Sequence, residues 1–312
     1  MREEAEVSIV IVCMNKLSNL DRCLPSIKKF TTVPYRIYVV AYLFSVDNLK
    51  CLKENFPEVN VIVSNDIRGF SENNNIALKD VNTPFIFVLN DDTEFTMPVL
   101  DRLLDSLRCT KNATVMSPVL YRGDGSVQFC GRRKYTFGKF LLDHLGIRIN
   151  TKSKYENQSG IFKSYNISGA AFLIYTDIFR RIGFFDEKYF FCPEDIALST
   201  KLNNNGYYCY VDSSIPIIHY EGVSSKKSSL FYATTSVAYL GDSYYFGITR
   251  FYRSIIITLW TLKVFMFKFR SLIHRTGHVT DYLYIYQQVL KSYKNEVTPK
   301  ELFIEEYSKV KK

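Results

Sequence analysis

Short apolar runs alternate with helical segments over residues 8–90, and this alternation constrains the fold more than any other feature of the chain. Four runs have the continuous, β-branched character of strands covered on both faces: 8–13, 35–40, 59–63 and 85–89. Between them lie three segments that we expect to be helical: 20–30, 47–56 and 72–81, the last capped by Ser71. This order predicts an α/β fold with a mostly parallel sheet and helices on both faces.

The rest of the chain is less regular. We expect helices over 97–107, 177–182 and 194–204, and strands over 170–175 and 215–218. Residues 121–165 are polar and contain turn-forming glycines. Because 47% of the 312 residues are hydrophobic, the chain can bury a full core, as one large domain with an appendage or as two domains.

Charge and cysteine content narrow the choice of partners and compartment. The net charge of +9 suits phosphate-rich small molecules, an anionic membrane or nucleic acid. Zinc-finger spacing and long basic runs are absent from the sequence, so we expect no nucleic-acid partner. Seven scattered cysteines without a Cys-x-x-Cys pair favour a reducing compartment, and the acidic start MREEAEV is unlike a signal peptide. We therefore expect a cytoplasmic protein.

From about residue 236 the composition becomes aromatic and basic. Residues 254–274 predict a helix, and Lys263, Lys268 and Arg270 make it too polar to span a membrane. On a helical wheel these residues occupy a broad arc opposite Leu262, Phe265, Met266, Phe269 and Ile273. The pattern fits a helix on the inner face of an anionic membrane, and equally a helix packed on its own domain.

Two carboxylates, Asp91 and Asp92, come directly after the strand at 85–89. In α/β sheets ligands bind beyond the carboxyl ends of the strands. Carboxylate oxygens there can hold Mg²⁺ or Mn²⁺, and the ion can neutralise a diphosphate leaving group. The alternative is a solvated turn, because Asn and Asp are common turn residues.

A second acidic pair, Glu194 and Asp195, begins the expected helix over 194–204. These carboxylates can act as a helix cap, or one can be a general base in an aromatic setting that excludes water. His219, one of four histidines, ends the strand expected over 215–218. A lone histidine is usually structural, but here it can also complete a metal site.

Six segments between residues 8 and 225, taken in order, resemble the motifs of glycosyltransferase family 2, which has the Rossmann-like glycosyltransferase A fold. The similarity is greatest to its bacterial rhamnosyltransferase-like branch. The segments are the first strand with Asn15, IRGFSENNN with Gly69, Phe70, Asn74 and Asn75, VLNDD with Asn90 and Asp92, SGA at Ser168, Gly169 and Ala170, the FDE…PED block with Asp195, and HYEGVSS with His219, Gly222 and Ser224.

The resemblance implies an inverting glycosyltransferase that uses a nucleotide diphosphate sugar and a glycan or lipid-linked acceptor. It implies a catalytic domain over 1–235, with a donor half at 1–95 and an acceptor half at 96–235, followed by a helical extension at 236–312. The implied donor-binding residues are Asn15, Asp47, Arg68, Gly69, Asn74, Asn90 and Asp91. The remaining assignments are Asp92 and His219 for the metal, Ser168, Gly169 and Ala170 for the acceptor, and Asp195 as the base beside Glu194.

Two departures from the family pattern leave an alternative open. Ala41 stands where the family has a carboxylate that reads the nucleotide base, although Asp47 can supply one, and Ala197 replaces the second Asp of Glu-Asp-x-Asp. The chain could therefore be a degenerate member that binds a sugar nucleotide or a partner without turnover. A nucleotidyltransferase or a dinucleotide-binding oxidoreductase is disfavoured, because MNKLSNLDR after the first strand lacks glycine.

Overall fold

The computed structural model describes residues 4–129, 131–134, 136–144, 158–220, 250–273 and 277–310. The chain divides into two units. The first comprises Met1–Lys134, Arg148–Asp186 and Glu194–Val223, and the second comprises Tyr135–Ile147, Glu187–Pro193 and Ser224–Lys312. The expected domain boundary between residues 235 and 236 lies outside the described residues.

Strands and helices alternate in the first part of the chain, as expected. The elements are β1 Val7–Met14, α1 Leu17–Phe30, β2 Tyr35–Tyr42, α2 Val46–Asn55, β3 Asn60–Ser64, α3 Phe70–Leu78, β4 Phe85–Asn90 and β5 Thr93–Glu94. Strands β3, β2, β1 and β4 lie side by side in that order and are parallel. This parallel block confirms the predicted α/β class.

The later elements complete the sheet and add helices. They are α4 Val99–Cys109, β6 Ala113–Tyr121, β7 Val127–Phe129, α5 Phe137–His144, β8 Ile161–Ser164, β9 Ala171–Tyr175, α6 Thr176–Arg181, α7 Glu194–Asn204, β10 Tyr208–His219, α8 Arg250–Ile273, α9 Gly277–Tyr293 and α10 Pro299–Val310. Among the described strands the main order is β3-β2-β1-β4-β9-β6-β10-β5. Strand β9 runs antiparallel to its neighbours β4 and β6, and β5, β7 and β8 also pair antiparallel with theirs. The other six described strands share one direction, so the sheet is mixed with a parallel majority.

Alternate residues of the central strands pack on opposite faces of the sheet. Ile9 and Ile11 of β1 belong to a cluster that includes residues of α1 and α4. Val10 of the same strand belongs to a second cluster with residues of α3, α6 and α7. The period of two along the strand therefore buries both faces, which explains why the run at 8–13 is continuously apolar.

The structure corrects some expected boundaries. Helix α3 begins at Phe70, and its N-cap is Gly69 rather than Ser71. The physical reason is that the Glu72 carboxylate reaches back and accepts the Gly69 N–H at 2.9 Å, which satisfies a backbone donor that a cap must cover. Strands β5, β6, β7 and β8 are not among the expected strands, and β10 is longer than the run at 215–218.

The second unit has its own small core. Ile256 and Trp260 of α8 pack with Val289 and Tyr293 of α9 and with Leu302 of α10. No helix in the described part of the chain is both long enough and apolar enough to cross a membrane.

Candidate active site at the strand ends

Four strand ends meet at one edge of the sheet in the first unit. Leu89, near the carboxyl end of β4, pairs with Ala171 at the amino end of β9. Ile218, near the carboxyl end of β10, pairs with Tyr121 at the end of β6. Because ligands of such sheets bind beyond the strand ends, the residues at and next to these ends define the candidate site. They are residues 90–92, residues 168–170 and His219.

Asp92 and His219 form the closest pair at this edge. Asp92 Oδ1 lies 3.0 Å from His219 Nε2, and only 12% and 10% of the two side chains are exposed. Asn90 Nδ2 lies 3.3 Å from the same imidazole nitrogen. The Tyr220 N–H donates to the Asp92 carbonyl oxygen at 2.9 Å, which ties the end of β10 to the acidic turn. The structure thus brings His219 to Asn90 and Asp92, which precede it by more than a hundred positions in the sequence.

Gln128 on β7 fixes the imidazole from its other side. Its Oε1 lies 2.8 Å from His219 Nδ1. An amide oxygen only accepts, so with the amide in this orientation Nδ1 carries a proton. In the neutral ring, Nε2 then presents its lone pair towards Asp92. This contact was not predicted from the sequence, because Gln128 lies in a polar stretch without periodicity.

The Asp92 and His219 pair fits a divalent cation. Two ligands about 2.1 Å from an octahedral ion and at right angles to each other are about 3.0 Å apart, which matches the 3.0 Å between Oδ1 and Nε2. Among the described residues there is no group of three or more His, Cys, Asp or Glu side chains suited to a metal. An ion bound here would therefore take its remaining ligands from substrate oxygens or water, as Mg²⁺ commonly does.

The partners of Asp91 lie on β1 and α1. The Asn19 amide donates to its Oδ2 at 3.2 Å. Burial raises the pKa of the Asp91 carboxyl to about 6, and the negative charge of Asp92 adds to the increase, whereas hydrogen bonds from Cys13 and Asn19 oppose it. Carboxyl groups with a raised pKa are common at functional sites, because such sites bury their ionisable groups.

The second acidic pair begins α7, as expected. Asp195 Oδ2 accepts the Gly169 N–H at 3.3 Å, and Oδ1 accepts the Ile196 N–H at 2.8 Å. Burial raises the pKa of the Asp195 carboxyl, and the positive charge of Arg132 is the largest opposing influence. Glu194 is buried. A carboxylate with raised proton affinity and backbone N–H groups that hold its oxygens can serve as a general base.

The loop at 168–170 connects the two acidic pairs. The Asn90 N–H donates to the Ala170 carbonyl at 2.8 Å, and the Ala170 N–H donates to Ser168 Oγ at 3.3 Å. A methyl group on Gly169 would lie 3.4 Å from Asp195 Cβ and 3.6 Å from Glu194 Oε1. A series of contacts therefore runs from Asp92 to Asp195 through these intermediates: His219, Asn90, Ala170 and Gly169.

The other expected donor-binding residues have structural partners. Asn15 Oδ1 accepts the Ser45 N–H at 2.9 Å. Arg68 forms an ion pair with Asp66 at 2.6 Å and donates to Ser64 Oγ at 3.1 Å. Asn74 is buried and donates to the Phe70 carbonyl, and the neighbouring Asn75 bonds to the backbone of Phe185. These contacts shape the loops around the strand ends.

The residues that depart from the family pattern are both buried. Ala41 lies inside β2, which continues to Tyr42, and Ala197 lies in α7. The first carboxylate after β2 is Asp47, which is exposed in the first turn of α2. Gly222 and Ser224, which belong to the last motif of the resemblance, lie outside the described residues.

The chain belongs to glycosyltransferase family 2. The model of this family, Glycosyl transferase family 2, matches residues 8–183, which is more than half of the chain. The chain is also 22% identical over 236 residues to the N-acetylglucosaminyl-diphospho-decaprenol L-rhamnosyltransferase of Mycobacterium tuberculosis, spanning 70% of this chain and 76% of the relative. The membership expected from the motifs is confirmed, and glycosyl transfer is the activity of the family.

Solved structures with a similar fold are also glycosyltransferases. GalNAc-T7 with UDP, GalNAc and Mn²⁺ matches with a TM-score of 0.55 and 16% identity, over 77% of this chain and 48% of that one. The mannosyltransferase PcManGT from Pyrobaculum calidifontis in complex with GDP-Man and Mn²⁺ matches with a TM-score of 0.52 and 10% identity, over 99% and 81%. This chain thus spans about half the length of the first structure. At these identities the likeness establishes the glycosyltransferase A fold.

Proposed function

We propose that this protein transfers a sugar from a nucleotide diphosphate sugar to a hydroxyl group of a glycan or lipid-linked saccharide, with inversion at the anomeric carbon. The observation that carries the proposal is the series of contacts from Asp92 to Asp195 along one edge of the sheet. This series supports the proposal because it links the pair that we propose to bind the diphosphate with the carboxylate that we propose as the base, at the same strand ends.

At the donor end, Asp92 and His219 are the residues that would hold Mg²⁺ or Mn²⁺. The cation, when bound, supplies neutralising charge to the leaving diphosphate. Gln128 keeps the imidazole oriented, and Asn90 contacts the nitrogen that faces Asp92. The Mn²⁺ in both solved relatives supports this assignment.

At the acceptor end, Asp195 removes the proton from the attacking hydroxyl. Its burial increases the affinity of the carboxylate for a proton, and the charge of Arg132 limits that increase, which favours an ionised base. The N–H groups of Gly169 and Ile196 hold its oxygens in place. Direct attack by the activated hydroxyl inverts the anomeric carbon and needs no covalent sugar–enzyme intermediate.

The acceptor class and the place of action are proposed from a relative and from the cysteine content. The Mycobacterium relative has a lipid-linked saccharide in its name, N-acetylglucosaminyl-diphospho-decaprenol, and this supports a lipid-linked acceptor here. The cysteine pattern supports a reducing compartment. We therefore propose that the protein acts on the cytoplasmic side of a membrane.

A panel of nucleotide sugars tests the proposal. The purified protein is incubated with each donor and Mn²⁺ or Mg²⁺, and nucleotide release and the thermal shift are measured. We expect one donor to stabilise the protein and to release its nucleotide. Asp92→Ala should abolish metal-dependent donor binding, whereas Asp91→Ala should weaken this binding less. Full turnover in excess EDTA would refute the metal assignment. Donor binding without nucleotide release, with any acceptor, would favour the alternative of a binding protein without turnover.

A further inference from the structure

Helix α8 carries an apolar surface that the described residues of its own unit leave exposed. We call this surface the outer face. Six large apolar side chains form it, each between 56% and 73% exposed: Leu262, Phe265, Met266, Phe269, Leu272 and Ile273. At 100° per residue these side chains fall within an arc of about 120°. Exposed apolar residues are common singly, but a contiguous patch of this kind marks an interaction surface.

The core of the second unit uses the opposite side of the same helix. Ile256, Trp260 and Val264 are buried there. Lys263 lies on this side too, with its Nζ 4.9 Å from the Trp260 ring and 4.5 Å from the Tyr286 ring. The helix is therefore apolar on two sides, and packing within the unit explains only one of them.

Basic side chains border the outer face. Lys268 and Arg270 are exposed and lie on its two edges, about 40° beyond the apolar arc on either side. Beyond Lys268, a shallow groove of about 300 Å³ is lined by Lys268, Lys291 and Lys294, together with one acid, Glu296. Helix α8 itself contains no aspartate or glutamate. The apolar surface thus has a positive border.

We propose that the outer face of α8 docks on the surface of an anionic lipid membrane. The apolar side chains would enter the boundary between headgroups and acyl chains, while Lys268 and Arg270 reach the lipid phosphates with extended stems. The inference rests on the proposed function in one respect, because it places the enzyme at the membrane that carries a lipid-linked acceptor. It extends that function by naming the docking residues, none of which belongs to the candidate active site.

Charge favours a membrane over a second copy of this chain as the occupant. If two copies paired through their outer faces, Lys268 and Arg270 of each copy would approach the same residues of the other. Because α8 has no carboxylate, nothing on this helix would compensate that repulsion. An anionic headgroup layer provides the missing negative charge and attracts each nearby basic residue.

Vesicle flotation with the full-length protein tests the proposal. The probes are phosphatidylcholine vesicles with and without about one quarter phosphatidylglycerol. We expect the wild-type protein to bind the anionic vesicles and to be released as salt rises, since screening weakens the attraction. Phe265→Asp combined with Phe269→Asp should weaken binding by at least ~100-fold, at about 10-fold for each buried phenylalanine. Ile304→Asp is the control, because Ile304 is 43% exposed on α10 and does not belong to the outer face, so it should have no effect.

Further measurements separate the possible failures. Lys268→Gln combined with Arg270→Gln keeps the apolar face and should reduce binding to anionic vesicles by about 5-fold per residue. Donor-induced thermal shift and nucleotide release should be unchanged in all these variants, so loss of vesicle binding is distinguished from loss of the proposed function. The proposal is overturned if the wild-type protein does not bind anionic vesicles, or if the double phenylalanine variant binds them as well as wild type. Concentration-dependent dimerisation that the phenylalanine variant abolishes, without vesicle binding, would instead identify a second copy as the occupant.

Discussion

Replacing Asp91 by asparagine is expected to stabilise the protein at neutral pH and to change its stability little at about pH 4. Burial raises the pKa of this carboxyl from 3.8 to about 6 in the folded protein. Each tenfold change in proton affinity corresponds to about 1.4 kcal/mol. Ionising the Asp91 carboxyl therefore costs about 3 kcal/mol more in the folded state than in the unfolded state. The folded state therefore holds the proton more tightly than the unfolded state does.

The sign of the effect follows from this order of the two pKa values. Below about pH 4 the carboxyl is protonated in both states and imposes no cost. Between about pH 4 and pH 6 the unfolded chain ionises first, so the stability of the wild-type protein falls. Above about pH 6 the carboxyl is ionised in both states, and the folded protein is destabilised by the full cost of burying the charge. Asparagine has the same shape and keeps an oxygen that can accept the Asn19 amide, but it carries no charge.

Urea denaturation in EDTA at several pH values measures this difference. We expect Asp91→Asn to raise the free energy of unfolding by up to about 3 kcal/mol near pH 7.5, with the gain disappearing near pH 4. Asp124→Asn is the matched control, because that carboxylate is exposed and hydrogen bonds from Ser126 lower its pKa. The control should give no gain at neutral pH. Equal or lower stability of Asp91→Asn near neutral pH would refute the reasoning.

Two further predictions concern the donor end of the site. Gln128→Leu removes the acceptor for His219 Nδ1 and should weaken Mn²⁺ binding, measured by calorimetry, by about 10–100-fold, as loss of such supporting contacts usually does. Unchanged affinity would show that Gln128 does not orient the imidazole. Asp47→Ala should alter the preference among donors with different nucleotide bases, measured as Kd, because Asp47 is the first carboxylate after β2. A strong preference that survives this change would assign base recognition to other groups.

The position of the acidic residues at the strand ends was predictable from the sequence because local signals determine it. The buried run before Asp91 and Asp92 identifies β4, and a parallel sheet places its carboxyl end at a ligand site. Helix α7 has the expected bounds at Glu194–Asn204, since carboxylates begin it and a glycine follows it. Such features depend on residues that are close in sequence.

Contacts between distant segments were not predictable in the same way. Gln128 and His219 are 91 positions apart, and no local pattern pairs a glutamine in a polar stretch with the end of β10. Arg132, which opposes the raised pKa of Asp195, has no motif either. A helical wheel of α8 separates an apolar arc from a basic one. Packing through Trp260 turns the side opposite the apolar arc towards the core of the second unit, which the wheel alone does not predict. That outcome depends on α9 and α10 rather than on α8 alone.

We propose that Asp195 is the base in sugar transfer, and one variant tests this role. Asp195→Asn preserves the size of the side chain and removes its basicity. With the donor identified, its Kd and the transfer rate are measured for this variant and for Glu194→Gln. We predict that Asp195→Asn lowers the transfer rate by about 10²–10⁴-fold while the donor Kd stays nearly unchanged. Full transfer activity in Asp195→Asn would contradict the account, and its loss in Glu194→Gln alone would assign the base to Glu194.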